Sequence, residues 1–157
     1  MTTINYGEEK LQQRCVSWFR AQYRDFGGVL YHVTNEANKL GVKYMGRMKA
    51  GGVLAGVSDL NLDVPSVLDG VVWHGMRIEL KSEKGRQQES QKLFEKRMER
   101  CGYFYCVVRR FEDFESLVNS YMGGVDAEIK AMMHELWQEQ EQSKLEEARA
   151  QLRKLIG

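Results

Sequence analysis

Hydrophobic spacing divides the chain into helices and strands. Between residues 8 and 24, Leu11, Cys15, Trp18 and Phe19 recur at helical intervals with Val16 on the flank, and Gly27-Gly28 stops the run. Residues 29–33 are a short apolar run that predicts a strand, and a glycine-rich stretch follows. Residues 59–64 alternate polar and apolar, as a half-buried strand does. Residues 65–70 read as a turn. Residues 71–74 and then 76–81 read as the partner strand, with Gly75 as a bulge. Residues 87–101 predict a helix with the inward stripe Gln87, Gln91, Phe94, Met98 and Cys101, ended by Gly102. Residues 103–109 are continuously apolar, the pattern of a strand inside a sheet. Phe111, Phe114, Leu117, Val118 and Tyr121 predict a further amphipathic helix up to Gly123-Gly124. The order α-β-β-β-α-β-α predicts an α/β or α+β domain with a mixed central sheet flanked by helices.

After residue 124 the pattern changes. Residues 126–157 hold no proline and no glycine before the last position, and are dense in Glu, Gln, Lys and Arg. A continuous helix there would run about 45 Å. The expected division is a domain at 1–124 and a charged helical extension at 125–157. Ile129, Met133 and Leu136 form one stripe of this helix; Leu145, Leu152 and Leu155, with Ala148, form another at near-heptad spacing. The polar residues 138–144 interrupt the seam, so a long regular coiled coil is not expected. So polar a helix must pack its apolar residues on its own domain or on a second copy. The expectation is a homodimer to which the tail contributes.

Composition narrows the class. At 157 residues and 43% hydrophobic content, one domain can fill a core without disulfides. Cys15, Cys101 and Cys106 are odd in number and lack CxxC spacing, so they read as thiols in a reducing compartment. The opening residues lack a basic segment followed by an apolar one, and no run reaches 18 apolar residues. A protein neither secreted nor membrane-spanning, and therefore cytoplasmic, is expected. A net charge of +1 gives no general attraction to nucleic acid, so any binding must use local patches. Residues 37–58 contain no acid, while Lys39, Lys43, Arg47 and Lys49 fall among glycines. A solvated loop and a basic arm that contacts phosphates both fit this pattern. His32, His74 and His134 are scattered without metal-ligand spacing, and no phosphate-binding GxxxxGK motif is present.

The sharpest chemical signal is Glu79-Leu80-Lys81. Of three E-x-K triplets only this one lies on a strand between apolar residues. Asp59 opens the neighbouring strand, so two carboxylates and an ammonium can meet at a sheet edge. That set suits Mg²⁺, which takes carboxylate oxygens and keeps waters; a simple ion pair is the alternative. Gln91 occupies an inward position of its helix, where a polar group needs a partner, and the sheet face carrying Glu79 is the expected one. Glu8 shares its helix stripe with Cys15 and Phe19 and can project toward the same place.

The segments RMKAGGVLAGVSDLNL, HGMRIELKSEKGRQQESQ and GYFYCVVR together resemble the VRR-NUC family, virus-type replication-repair nucleases of the PD-(D/E)XK superfamily. The likeness spans roughly residues 8–122. It implies a restriction-endonuclease-like core and a divalent-metal-dependent DNA endonuclease. Asp59 and Glu79, with the Leu80 carbonyl, would then bind Mg²⁺ or Mn²⁺, and Lys81 would position the attacking water. Gln91 and a first-helix acid, Glu8 or Glu9, would support the metal-water network; helical phase favours Glu8. Asn35 sits where the family usually has an asparagine. Lys39, Lys43, Arg47, Lys49, Lys84 and Arg86 would contact DNA. Short stand-alone members resemble phage proteins that act as dimers on four-way junctions, and this length favours them. Ser58 departs from the proline usual before the aspartate, and the hairpin from 59 to 79 looks longer than usual. A catalytically silent DNA-binding or adaptor module and a sequence-specific restriction-type endonuclease are the rival readings.

Overall fold

The computed structural model describes residues 6–34 and 42–156. Helix α1 (Tyr6–Gln22) carries Cys15 and Phe19 fully into the core, and a 3-10 turn (Arg24–Phe26) leads into strand β1 (Leu30–His32). Then come α2 (Val42–Ala50), β2 (Leu60–Leu62), β3 (Ser66–Leu68), β4 (Val71–Trp73) and β5 (Met76–Leu80). The chain finishes with α3 (Glu89–Arg100), β6 (Phe104–Val108), α4 (Phe111–Gly123) and α5 (Ala127–Ile156). The protein is α/β with a mixed sheet.

Strands β1, β2, β5 and β6 form the main sheet in that order. β1–β2 and β2–β5 pair antiparallel, whereas β5–β6 pair parallel. All five residues of β5 are buried because both faces are covered. Met76, Ile78 and Leu80 join Leu60 and Leu62 in the main core with α1 and α4. Arg77 and Glu79 alternate to the opposite face, where Phe94 of α3 meets Tyr105 of β6 edge-on. Phe19, Phe114 and Tyr121 are fully buried, and each contributes roughly 1.5–3 kcal/mol by leaving water. The Tyr121 hydroxyl donates to the Val64 carbonyl at 2.9 Å, so its polar end is satisfied inside the core.

Several expectations need correction. Residues 71–73 do not extend the partner strand of β2; they pair with Ser66–Leu68 in a separate two-stranded ribbon. The turn is only Asp69-Gly70, both at positive φ (51° and 77°), the two-residue Asp-Gly geometry that matches hairpin twist. This ribbon is the extra length seen between Asp59 and Glu79. The basic glycine-rich stretch is not wholly a loop: Val42–Ala50 is helical, since a single internal glycine, Gly46, costs only about 1 kcal/mol against Ala. β6 lies at an edge of the sheet, and its apolarity on both faces reflects cover by α3 and α4 rather than a central position. α3 begins at Glu89, which leaves Gln87 in the preceding loop and Cys101 exposed at its C-cap.

The last helix is unbroken for 30 residues. Val125, just before it, is buried, and Ile129 and Met133 pack against the core. His134 Nδ1 lies 3.0 Å from Asp25 Oδ2. From Gln138 through Ile156 every residue is exposed. No helix among the described residues is long and apolar enough to cross a membrane.

Candidate active site

Register places the two acids together. Leu60 stands opposite Ile78, so one step further along the antiparallel ladder Asp59 faces Glu79. The Asp59 carboxylate accepts the Leu80 N–H at 2.7 Å, which fixes it against the end of β5. Its own carbonyl lies 2.8 Å from His32 Nδ1. Lys81 Nζ lies 2.7 Å from Glu79 Oε1, and Gln91 Nε2 donates to that same oxygen. Gln91 is held in turn: its Oε1 accepts the Gln88 N–H at 2.8 Å, closing a capping box at the start of α3. From the other side, Glu8 Oε1 accepts the Ser82 N–H at 2.8 Å. Glu9 is exposed.

Glu79 is the unusual member. Its side chain is 1% exposed, and Oε2 is buried with no hydrogen-bond partner among the described residues. A buried carboxylate oxygen without a donor is costly. Burial pushes the Glu79 carboxyl up to about 7, with the Asp59 and Glu8 charges adding to the rise and Lys81 opposing it. Asp59 is also raised, chiefly by burial, against the Leu80 N–H and Lys81. Two adjacent acids that resist ionising together form a site suited to an added cation. The donors are hard oxygens, which fits Mg²⁺ or Mn²⁺. Among the described residues no three His, Cys, Asp or Glu side chains converge on one metal position. A cation here would therefore rest on two carboxylates, backbone oxygen and water, the arrangement Mg²⁺ favours.

Not every residue singled out in the sequence meets at this edge. Arg47 and Lys49 are exposed on the last turn of α2, and Lys84 and Arg86 on the loop after β5. Lys43 lies in α2, and its side chain is not described; Asn35 and Lys39 lie outside the described residues. Other contributors carried weaker sequence signals. Gly56, at φ +85°, packs against the Ser90–Gln91 backbone and so ties the Asp59 loop to the Gln91 helix. Ser58, 1% exposed, donates to Asn61 Oδ1 at 2.9 Å. Arg109 Nη1 donates to the carbonyls of Ser82 (2.6 Å) and Gly85 (2.7 Å), holding the loop that follows Lys81. In the sequence, the only marks of this support are Gly56 three residues ahead of the acid and the polar Ser58 directly before it; nothing local marks Arg109.

A solved structure named "VRR_NUC domain protein" superposes with a TM-score of 0.63 at 22% identity, covering 76% of this chain and 90% of that one. The chain has a VRR-NUC fold. A second, named "VRR_NUC domain", aligns with a TM-score of 0.44 at 21% identity over 73% of this chain and 97% of its own. No protein-family model and no curated protein matches the sequence. In this fold α1, α3 and α4 pack on the main sheet, and the edge of β2 and β5 carries Asp59, Glu79 and Lys81.

Proposed function

We propose that this protein is a divalent-metal-dependent DNA endonuclease acting on branched DNA such as four-way junctions. The observation that carries the nuclease reading is the unpartnered, buried Glu79 Oε2 beside Asp59, on an edge that also presents Lys81. Its branched-DNA part rests on the resemblance of the sequence to short phage-type nucleases. Asp59 and Glu79, with the Leu80 carbonyl, would hold Mg²⁺ or Mn²⁺. When bound, such an ion polarises a phosphoryl oxygen and lowers the pKa of its water.

The chain's own groups supply the rest. Lys81 is anchored through Glu79 Oε1, so its ammonium is held at the edge where an attacking water and a scissile phosphate would meet, and offsets charge developing there. Gln91 fixes the rotamer of Glu79, and the capping box fixes Gln91. Glu8, by accepting the Ser82 N–H, holds the backbone just beyond Lys81. Cleavage of a panel of duplex, flap, fork and four-way junction, with Mg²⁺, Mn²⁺ or EDTA, tests the reading. Metal-dependent cutting strongest on the junction is expected. Failure to cut any substrate with either metal would refute it.

A further inference from the structure

Beside the catalytic edge lies a groove of about 430 Å³, whose walls come from the first turns of α1, the loop after β5 and the start of α4. Lys81 and Ser82 form one side, so the groove is continuous with the proposed cleavage site. Five cations line it: Lys10, Arg14, Lys81, Arg109 and Arg110. Among the described residues that line it, only Glu83 and Glu112 oppose them, which leaves a local net charge of +3 in a chain whose total is +1. Larger concavities elsewhere, around Arg24, Asp25 and the 3-10 turn, border α5 and lie apart from this chemistry.

The cations differ in what they are free to do. Arg109 is engaged with the carbonyls of Ser82 and Gly85 and builds the wall. Arg110 is paired with Asp113 at 3.1 Å through two nitrogens. Lys81 is paired with Glu79. Arg14 instead has its guanidinium 3.9 Å over the Phe111 ring, a stack that orients the group while leaving its N–H edge for an anion. Lys10 is exposed one turn earlier, about 6 Å along the same helix. Two cations with no ion pair among the described residues, at that spacing and next to a site proposed to act on phosphodiesters, match an extended polyanion.

We propose that this groove binds the DNA backbone adjoining the scissile phosphate, with Lys10 and Arg14 as its phosphate contacts. The proposal rests on the nuclease reading and adds a subsite to it. It is tested by fluorescence anisotropy of a labelled four-way junction bound by the full chain, with EDTA present so that no strand is cut. In the Lys10→Gln/Arg14→Gln variant, the slope of log affinity against log salt falls by about two relative to the native chain. Arg14→Lys, which keeps the charge and loses the planar stack, retains the slope. Inorganic phosphate, matched against chloride for ionic strength, does not displace the junction. An unchanged slope in the double variant overturns the groove, as does an Arg14→Lys variant whose slope is as shallow as that of the double variant, or efficient displacement by phosphate. If the native chain binds and cuts while the double variant keeps its slope, only the groove fails. If the native chain neither binds nor cuts, the nuclease reading fails with it.

Discussion

Replacing Gly56 with alanine perturbs the joint between the Asp59 loop and the Gln91 helix. A Cβ at this position would lie 2.5 Å from the Ser90 carbonyl carbon, 2.6 Å from its oxygen and 2.8 Å from the Gln91 nitrogen. All three are backbone atoms in the first turn of α3, so no side chain can swing aside. The residue also sits at φ +85°, where a side chain costs about 1–2 kcal/mol. Overpacking of this kind costs about 1–3 kcal/mol more. The expected destabilisation is therefore about 2–5 kcal/mol, a large part of a total that is typically about 5–15 kcal/mol. Restoring ordinary 3.4 Å contact requires the two segments to separate by about 0.9 Å. If the loop moves, the 2.7 Å Asp59–Leu80 bond stretches past hydrogen-bond range; if α3 moves, Gln91 is drawn off Glu79. Misplacement on that scale can cost roughly 100-fold in rate. Gly124→Ala is the control: its Cβ would strike the Val67 carbonyl and Ser66 hydroxyl, which lie in the β3–β4 ribbon and not in the main sheet that carries Glu79, at an ordinary φ of −87°. Urea unfolding followed by tryptophan fluorescence gives the stability loss. Single-turnover cleavage, at a temperature where each variant is folded, gives the rate. Both variants lose stability, and only Gly56→Ala loses rate. A Gly56→Ala variant that cuts within two-fold of the native chain would refute the coupling of this joint to catalysis.

If Asp59 and Glu79 hold Mg²⁺ as proposed, Mg²⁺ should raise the melting temperature of the native chain, and Asp59→Asn and Glu79→Gln should each abolish both that rise and Mg²⁺-dependent cleavage; a Mg²⁺-induced rise retained in either variant contradicts the ligand assignment. Exchanging Lys39, Lys43, Arg47 and Lys49 together for Gln flattens the salt dependence of DNA binding, and an unchanged slope returns that stretch to a merely solvated segment. Burial pushes the Cys15 and Cys106 thiols up to about 12, so at pH 8 almost no thiolate forms at either. An aromatic disulfide reagent therefore titrates the exposed Cys101 fast, the half-buried Cys106 slowly, and Cys15 only on unfolding; a fast-reacting Cys15 would disprove its packing in the core. Leu145, Leu152, Leu155 and Ile156 are all at least half exposed, and we expect them to pair with a second copy. Light scattering of the full chain shows a dimer, and a chain ending at Ser143 shows a monomer while keeping Val125, Ile129 and Met133 in the core; a monomeric full chain at micromolar concentration ends that idea.

Local pattern was sufficient where one element interacts mainly with water on one side and core on the other. The stripes of α1 and α4, the alternation of β2 and the unbroken run of α5 follow from side-chain periodicity, which depends only on neighbours in the chain. The E-x-K triplet on an apolar strand, and an inward glutamine twelve residues later, were visible for the same reason. Other features depended on distant contacts. Residues 71–73 have strand character whichever partner they take, and only the Asp69-Gly70 turn, with both residues at positive φ, directs them to Ser66–Leu68. The edge position of β6 is invisible in its own residues, because burial by helices and burial by strands select the same apolar side chains. Spacing in the sequence makes Glu79 a candidate. What leaves Oε2 buried and unpaired is the convergence of β2, β5 and α3, with Asp59 bonded to Leu80 and Gln91 and Lys81 both on Oε1. Desolvation and mutual repulsion act through space, over residues twenty apart in the chain, so the charge state of this edge belongs to the tertiary structure alone.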